Sequence, residues 1–337
     1  MKKFLLACLA ALSMQVFADE IALREDYPSR YVVVKGDTLW DISAKFLQDP
    51  WLWPEIWVAN DYIANPHLIY PGDILTLVYV EGRPRLVLQR NEVIKLSPNM
   101  RQGALQDAIP SVPLNSIRPF LSENIVLDSE HDVMSSPYVI SGDERRIISG
   151  VGDQIFARGN FGGGLHFSVY RKGETYIDPV SGEVLGYQMR FIGSGKKISQ
   201  SGDVATIALN RSVEEVRIGD HVLPSPEENI VAHYFPSAPD AELNKQILAV
   251  ESGVTQIGQY SVVVINAGDR EGIALGNVMA VQRQGDAVKD PYTDKLVQLP
   301  AVRGGLMMIV KVFSKLSYGL IMESNRPLAV GDEVTNP

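Results

Sequence analysis

The chain has 337 residues, 45% of them hydrophobic, and a formal charge of -9. That is enough apolar matter to bury the cores of two or three domains, which excludes a disordered chain. The acidic balance argues against nucleic acid, and against an anionic lipid surface, as principal partner, because both recruit clustered Lys and Arg.

Taken in chain order, residues 1–18 read as a cleavable signal peptide. Lys2 and Lys3 form its positive start, Phe4 to Leu12 its apolar run, and Val16-Phe17-Ala18 a small-residue site with cleavage expected after Ala18. The run is far shorter than the roughly 20 residues a membrane span needs. Cleavage removes Lys2, Lys3 and the one cysteine, Cys8, which takes the charge from -9 to -11 and leaves no thiol for a disulfide. Leu5-Leu6-Ala7-Cys8 loosely resembles a lipobox, a weaker reading because so little apolar sequence precedes it.

Residues 19–30 are polar and read as a linker. Tyr31 to Val34 then predict a strand ended by Lys35-Gly36-Asp37. Thr38 and Asp41 stand at capping-box spacing, so a helix should start there, with the Asp41 carboxylate reaching back and Leu39, Ile42 and Phe46 on its apolar face. Pro54 opens a second helix that Asn60 can stop, and Pro71-Gly72-Asp73 turns into a last strand, Ile74 to Val80. The result is an α+β unit of order βααβ over residues 31–79. All four tryptophans (Trp40, Trp51, Trp53, Trp57) fall inside it and are expected mostly in its core, since so small a unit needs large apolar side chains.

The prolines of residues 80–137 suggest a semi-extended connector. Beyond it, short Val/Ile-rich runs between Gly, Asp and Ser turns predict mainly-β modules, two related small barrels or sandwiches over 138–224 and 243–337 with a linker at 225–242. Their relatedness rests on a repeat. Val169-Tyr170-Arg171-Lys172-Gly173 with Asp178-Pro179 returns 112 positions later as Val281-Gln282-Arg283-Gln284-Gly285 with Asp290-Pro291, and Gly219-Asp220 returns as Gly331-Asp332.

The first unit carries a specific motif. Tyr31 through Gly36-Asp37-Thr38-Leu39 to Ile42-Ser43, then Asn60, then Leu68-Ile69-Tyr70-Pro71-Gly72-Asp73-Ile74-Leu75-Thr76-Leu77 resembles a LysM domain in both signature and order. The resemblance implies binding of N-acetylglucosamine-containing glycan, peptidoglycan above all, in a shallow groove. One side would be Gly36, Asp37, Thr38 and Leu39, and the other Asn60, Leu68, Ile69 and Tyr70. An N-acetyl group offers an amide donor, an acceptor and a methyl, which suits loop amides beside apolar side chains. Six carboxylates against two lysines in residues 31–79 suit a neutral ligand and not a phosphate. Singly, Gly36 reads equally as a turn glycine, Asp37 and Thr38 as caps, and Asn60 as a helix stop. The segment Gln48 to Pro54 is longer and more aromatic than in a minimal LysM domain.

No catalytic apparatus is expected. A thiolate nucleophile is absent from the mature chain, and His67, His131, His166, His221 and His233 stand singly, without zinc-ligand spacing, so neither metal nor cofactor is implied. Gly193-Ser194-Gly195-Lys196-Lys197 lacks the full phosphate-loop pattern and reads as a hairpin turn, and Phe161-Gly162-Gly163-Gly164 as a loop. A two-carboxylate glycosidase leaves no local signature, so a LysM-targeted peptidoglycan-remodelling enzyme stands as the alternative.

The whole arrangement resembles the LysM proteins associated with type IV pilus secretins, and its C-terminal modules resemble those of flagellar T-ring proteins. This resemblance implies a periplasmic protein near the outer membrane that holds peptidoglycan and contacts an outer-membrane secretin, with an oligomeric ring around the secretin as one arrangement. A wall-bound flagellar-ring accessory is the neighbouring reading. Exposed strand edges of the β modules are the expected docking surface.

Overall fold

The computed structural model of the protein describes residues 21–57, 69–89, 123–225, 234–251, 257–285 and 287–337. The expected signal peptide, Asn60, Leu68 and much of the expected connector and inter-module linker lie outside the described residues. The chain divides into two compact units, Met1–Ile109 and Pro110–Pro337.

The first unit contains β1 (Arg30–Val32), α1 (Leu39–Phe46), a 3₁₀ turn (Pro50–Leu52), α2 (Trp53–Trp57), β2 (Ile74–Val80) and β3 (Arg83–Gln89). Thr38 is the extended cap of α1 and its hydroxyl accepts the Asp41 amide at 3.1 Å, as the spacing predicts. The Asp41 carboxylate differs from expectation: it accepts the Thr38 hydroxyl at 2.7 Å instead of reaching the backbone. Leu39, Ile42 and Phe46 pack with Trp53, Ile56 and Trp57 in one core. Trp40 is buried too, while Trp51 is half-buried.

Order extends past both expected limits of this unit. β3, inside the presumed connector, pairs along the whole of β2, from Ile74↔Gln89 to Val80↔Arg83. Its Leu86 and Leu88 enter the core, each worth about 1.5–3 kcal/mol of burial. Pro84 is tolerated because β3 is an outer strand of the β1-β2-β3 sheet. In the presumed N-terminal linker, Leu23 bridges to Leu47, and Ile21, Leu23 and Tyr27 cover the same core.

The second unit opens with β4 (Ile125–Leu127) and α3 (Glu130–Ser135), again inside the presumed connector. Then come β5 (Tyr138–Gly142), β6 (Ile148–Ser149), β7 (Gln154–Arg158), β8 (His166–Ile177), β9 (Val184–Ser201), β10 (Val204–Ser212), β11 (Val216–Arg217) and β12 (His221–Pro224). The pairings β5-β7-β10-β9-β8-β12 close on themselves into a barrel, with β4 added outside β9 and β6 paired to β11. β13 (Asn244–Val250), β14 (Val262–Ile265), β15 (Val278–Arg283), β16 (Ala287–Lys289), β17 (Leu296–Gln298), β18 (Val302–Val312), β19 (Ser317–Ser324) and β20 (Glu333–Thr335) follow. They form a second closed barrel in the order β13-β14-β19-β18-β15-β20, with β16 and β17 paired outside the ring.

The two barrels are one design. His221↔Tyr170 in the first corresponds to Glu333↔Gln282 in the second, and Val169↔Gly193 to Val281↔Gly305, both at an offset of 112. The first strand pair corresponds at an offset of 108, Val139↔Ala157 to Ile247↔Ile265, and even the bulge after Val139 returns after Ile247. Interior volume is exchanged between equivalent sites. A Cβ on Gly195 would lie 2.8 Å from Ile207, whereas in the second barrel the large residue is Met307, and a Cβ on Gly319 would lie 2.9 Å from its sulfur. Total filling is kept while large and small trade places.

Two expectations are corrected here. Gly193 to Lys197 is no hairpin turn but lies within β9, because Gly193 and Gly195 let the β10 backbone approach closely. The expected docking edges are narrowed as well: each ring strand is paired on both sides, so the open main-chain edges are those of strands outside the rings, among them β4 and the β16–β17 pair.

The barrels touch through the end of the β8–β9 hairpin, which runs on past its own ring. Asn266 Nδ2 donates to Asp178 Oδ2 at 2.8 Å, and Glu183 pairs with Arg270 at 2.8 Å and Lys315 at 3.0 Å. The Asn124 and Gln188 amides both donate to Glu251, and Lys311 Nζ donates to the Asn124 carbonyl at 2.6 Å.

Candidate functional site

Two loops of the first unit frame the predicted groove: β1 to α1, and the approach to β2. Each is built on a four-residue turn with the same wiring. In Val34-Lys35-Gly36-Asp37, the Asp37 amide donates to the Val34 carbonyl at 3.2 Å and the Val34 amide returns a bond to Asp37 Oδ2 at 2.9 Å. In Tyr70-Pro71-Gly72-Asp73 the corresponding distances are 3.0 Å and 3.0 Å. Gly36 and Gly72 sit at φ of 101° and 97°, a conformation that favours glycine. The turns are stapled together through Val33, whose amide donates to the Asp73 carbonyl at 2.9 Å and whose carbonyl accepts from the Gly72 amide at 2.8 Å.

The predicted residues divide by this geometry. Gly36 is exposed, Asp37 and Tyr70 are half-buried, and all three lie on the two stapled turns. Thr38, Leu39 and Ile69 are buried; the Thr38 hydroxyl is engaged by Asp41, and Leu39 and Ile69 belong to the core. These three therefore shape the loops from beneath. Asp37 is held inside its own turn, since Oδ2 also accepts the Tyr31 hydroxyl at 2.9 Å. Burial, reinforced by that carboxylate, pushes the Tyr31 phenol up to about 12, so it stays a donor throughout the physiological range. Lys45 Nζ lies 5.3 Å from the centre of the Tyr31 ring. Tyr31, Val33 and Asp73 were missed as parts of the site; the signal that could have found Asp73 is the repetition of Gly-Asp at the end of both turns.

The wiring returns at barrel corners. Residues Gly150 to Asp153, Arg217 to Asp220, Ala274 to Asn277 and Ala329 to Asp332 each have the fourth side chain accepting the first amide at 2.8 Å, with a positive-φ glycine third. It is thus a general device, and the groove uses it twice.

Elsewhere, Ser136 Oγ lies 2.7 Å from His221 Nδ1, a contact that invites a nucleophile–base reading. The Ser136 hydroxyl, however, also meets the Val133 carbonyl at 2.7 Å, which accepts its proton when the histidine is protonated on Nδ1, and this contact anchors the end of α3. Burial lowers the His221 pKa, which keeps the ring neutral. Among the described residues there is no group of three or more His, Cys, Asp or Glu side chains placed to hold a metal ion.

Comparison with known proteins agrees with this geometry. The uncharacterized protein YqbP of Bacillus subtilis (strain 168) is 40% identical over 60 residues, covering 15% of this chain and 27% of that protein. The likeness therefore concerns one module, and the chain spans only about a quarter of that relative's length. Residues 31–78, which include both stapled turns and the helices between them, match the LysM domain family, whose members bind peptidoglycan and related N-acetylglucosamine glycans: this segment is a LysM domain.

Proposed function

We propose that this protein is a non-enzymatic periplasmic tether, whose LysM domain holds peptidoglycan while its double-barrel unit contacts an outer-membrane secretin of the type IV pilus machinery. The observation that carries the reading is the LysM domain itself, with both groove loops fixed by Gly-Asp turns before any glycan arrives. Pre-formed loops spend little conformational entropy on binding, which matters for a domain this small. The secretin part is carried by the resemblance of the arrangement and by mechanical logic: a pore through which a pilus is pulled bears load, and a wall-bound module transfers that load away from the lipid.

Pelleting of the mature protein with insoluble peptidoglycan tests the first part. The protein is expected in the pellet and to be released by soluble N-acetylglucosamine oligomers, and removal of residues 120–337 should leave pelleting intact. Retention in the supernatant refutes the tether. Release of soluble muropeptides beyond one per protein molecule would replace it with the remodelling enzyme. Co-purification with the secretin, lost when residues 120–337 are removed, tests the second part; unchanged recovery overturns it.

A further inference from the structure

The internal repeat leaves one element without its counterpart. In the first barrel the β8–β9 hairpin docks on the second barrel, and its Tyr176 and Leu185 are 4% and 0% exposed. The second barrel carries the same hairpin. Lys289↔Leu296 pairs as Ile177↔Val184 does, and the tips share their wiring: Asp178 Oδ1 accepts the Val180 and Ser181 amides, and Asp290 Oδ1 those of Tyr292 and Thr293. Here the residues equivalent to Tyr176 and Leu185, Val288 and Val297, are 41% and 46% exposed, and Tyr292 at the tip is 96% exposed. Apolar arms on a projecting two-stranded hairpin are costly to leave in water.

We propose that this hairpin docks on the first barrel of a second copy of the chain, repeating between molecules the contact that joins the two barrels within one. The charges identify the occupant. Inside the chain Glu183 meets Lys315; at equivalent positions the free hairpin has Lys295 and the first barrel has Asp203, so both partners are reversed and the pair stays complementary. Asp178 meets Asn266, and the equivalents are Asp290 and Arg158, again opposite in sign. Arg158 and Asp203 are exposed on the first barrel and pair with each other at 2.7 Å, ready to exchange partners. Drift on one side alone would have broken the match. Such a contact is head-to-tail, so it closes into a ring or grows as a filament, depending on the rotation between copies. The inference rests on the repeat and not on the secretin reading.

Cross-linking of the full chain, with Cys8 replaced by Ser, tests it. Under mild oxidation Lys295→Cys mixed with Asp203→Cys should give disulfide-linked dimers, neither variant should dimerise alone, and the double variant should give a ladder that reductant collapses. In sedimentation, Val297→Asp or Lys295→Glu should weaken association at least tenfold, and Asp203→Lys in the same chain as Lys295→Glu should restore it. A monomer at every concentration with no cross-link, the result expected if a different protein covers the hairpin, overturns the proposal. Self-dimerisation of Lys295→Cys alone overturns it too, because the contact would then be hairpin to hairpin. The LysM domain takes no part in either measurement, so loss of peptidoglycan binding leaves the outcome unaffected.

Discussion

Replacing Asp37 separates a residue that shapes the groove from one that touches sugar. Its carboxylate accepts the Val34 amide and the Tyr31 hydroxyl, each at 2.9 Å. A net hydrogen bond is worth about 0.5–1.5 kcal/mol, and water partly replaces these because the turn is exposed, so Asp37→Ala should cost about 1 kcal/mol of LysM stability. Asp37→Asn keeps an acceptor and should cost less than half of that. The assay is built into the sequence: all four tryptophans lie between Trp40 and Trp57, so tryptophan emission of the full chain in a urea titration follows the first unit alone. With a slope of about 1 kcal/mol/M for so small a domain, the midpoint for Asp37→Ala should fall by about 1 M. Peptidoglycan pelleting by Asp37→Asn should match the unaltered protein. An unchanged midpoint for Asp37→Ala would refute the turn argument, and a stable Asp37→Asn that no longer pellets would place the carboxylate on the glycan.

Three further outcomes follow from the geometry. Gly72→Ala meets no neighbour within 4 Å, so its cost is purely that of an L-residue at φ 97°, about 1–2 kcal/mol in the same tryptophan titration. Gly319→Val should cost about 1–3 kcal/mol through contact with Met307, and adding Met307→Ala should recover at least half, because the first barrel already runs with the large residue on the other side; a double-mutant cycle by circular dichroism measures this. Acid should loosen the joint between the barrels. Arg270 and Lys315 hold the Glu183 carboxyl down to about 2, and the Ser181 amide and Asn266 hold Asp178 at about 2. Carboxylates depressed in the folded state contribute stability that is fully present above their unfolded values of 4.5 and 3.8 and is lost as pH falls toward about 2. The near-UV tyrosine signal over that window should report it, with a flatter profile in Glu183→Gln; identical profiles would remove Glu183 from the joint.

What could be read from the sequence was local. The Thr38 cap, the last LysM strand at Ile74 to Val80 and the relatedness of the two β modules all rest on short spacings or on a fixed offset. What could not be read depends on partners distant in sequence. β3 was hidden because prolines suggest a connector, yet an outer strand accepts Pro84. The glycines at 193 and 195 look like a turn until the β10 backbone is seen against them. Barrel closure needs the register of six strands at once, and the repeat faded toward its N-terminal half because the offset changes there from 112 to 108. In the predicted groove, sequence pattern singled out two loops that the Val33 bonds hold together but could not tell which side chains support them from below, since Leu39 and Ile69 are apolar in either role.

The corner that the groove shares with the barrels carries one more implication. Because one side-chain oxygen secures the bend from within, the side chains at its first two positions take no part in holding it, and they read Val-Lys, Tyr-Pro, Arg-Ile and Ala-Val at four of its sites. Shape is thereby uncoupled from spelling. A loop built this way can change its outward letters while the path of the main chain beneath stays where it was.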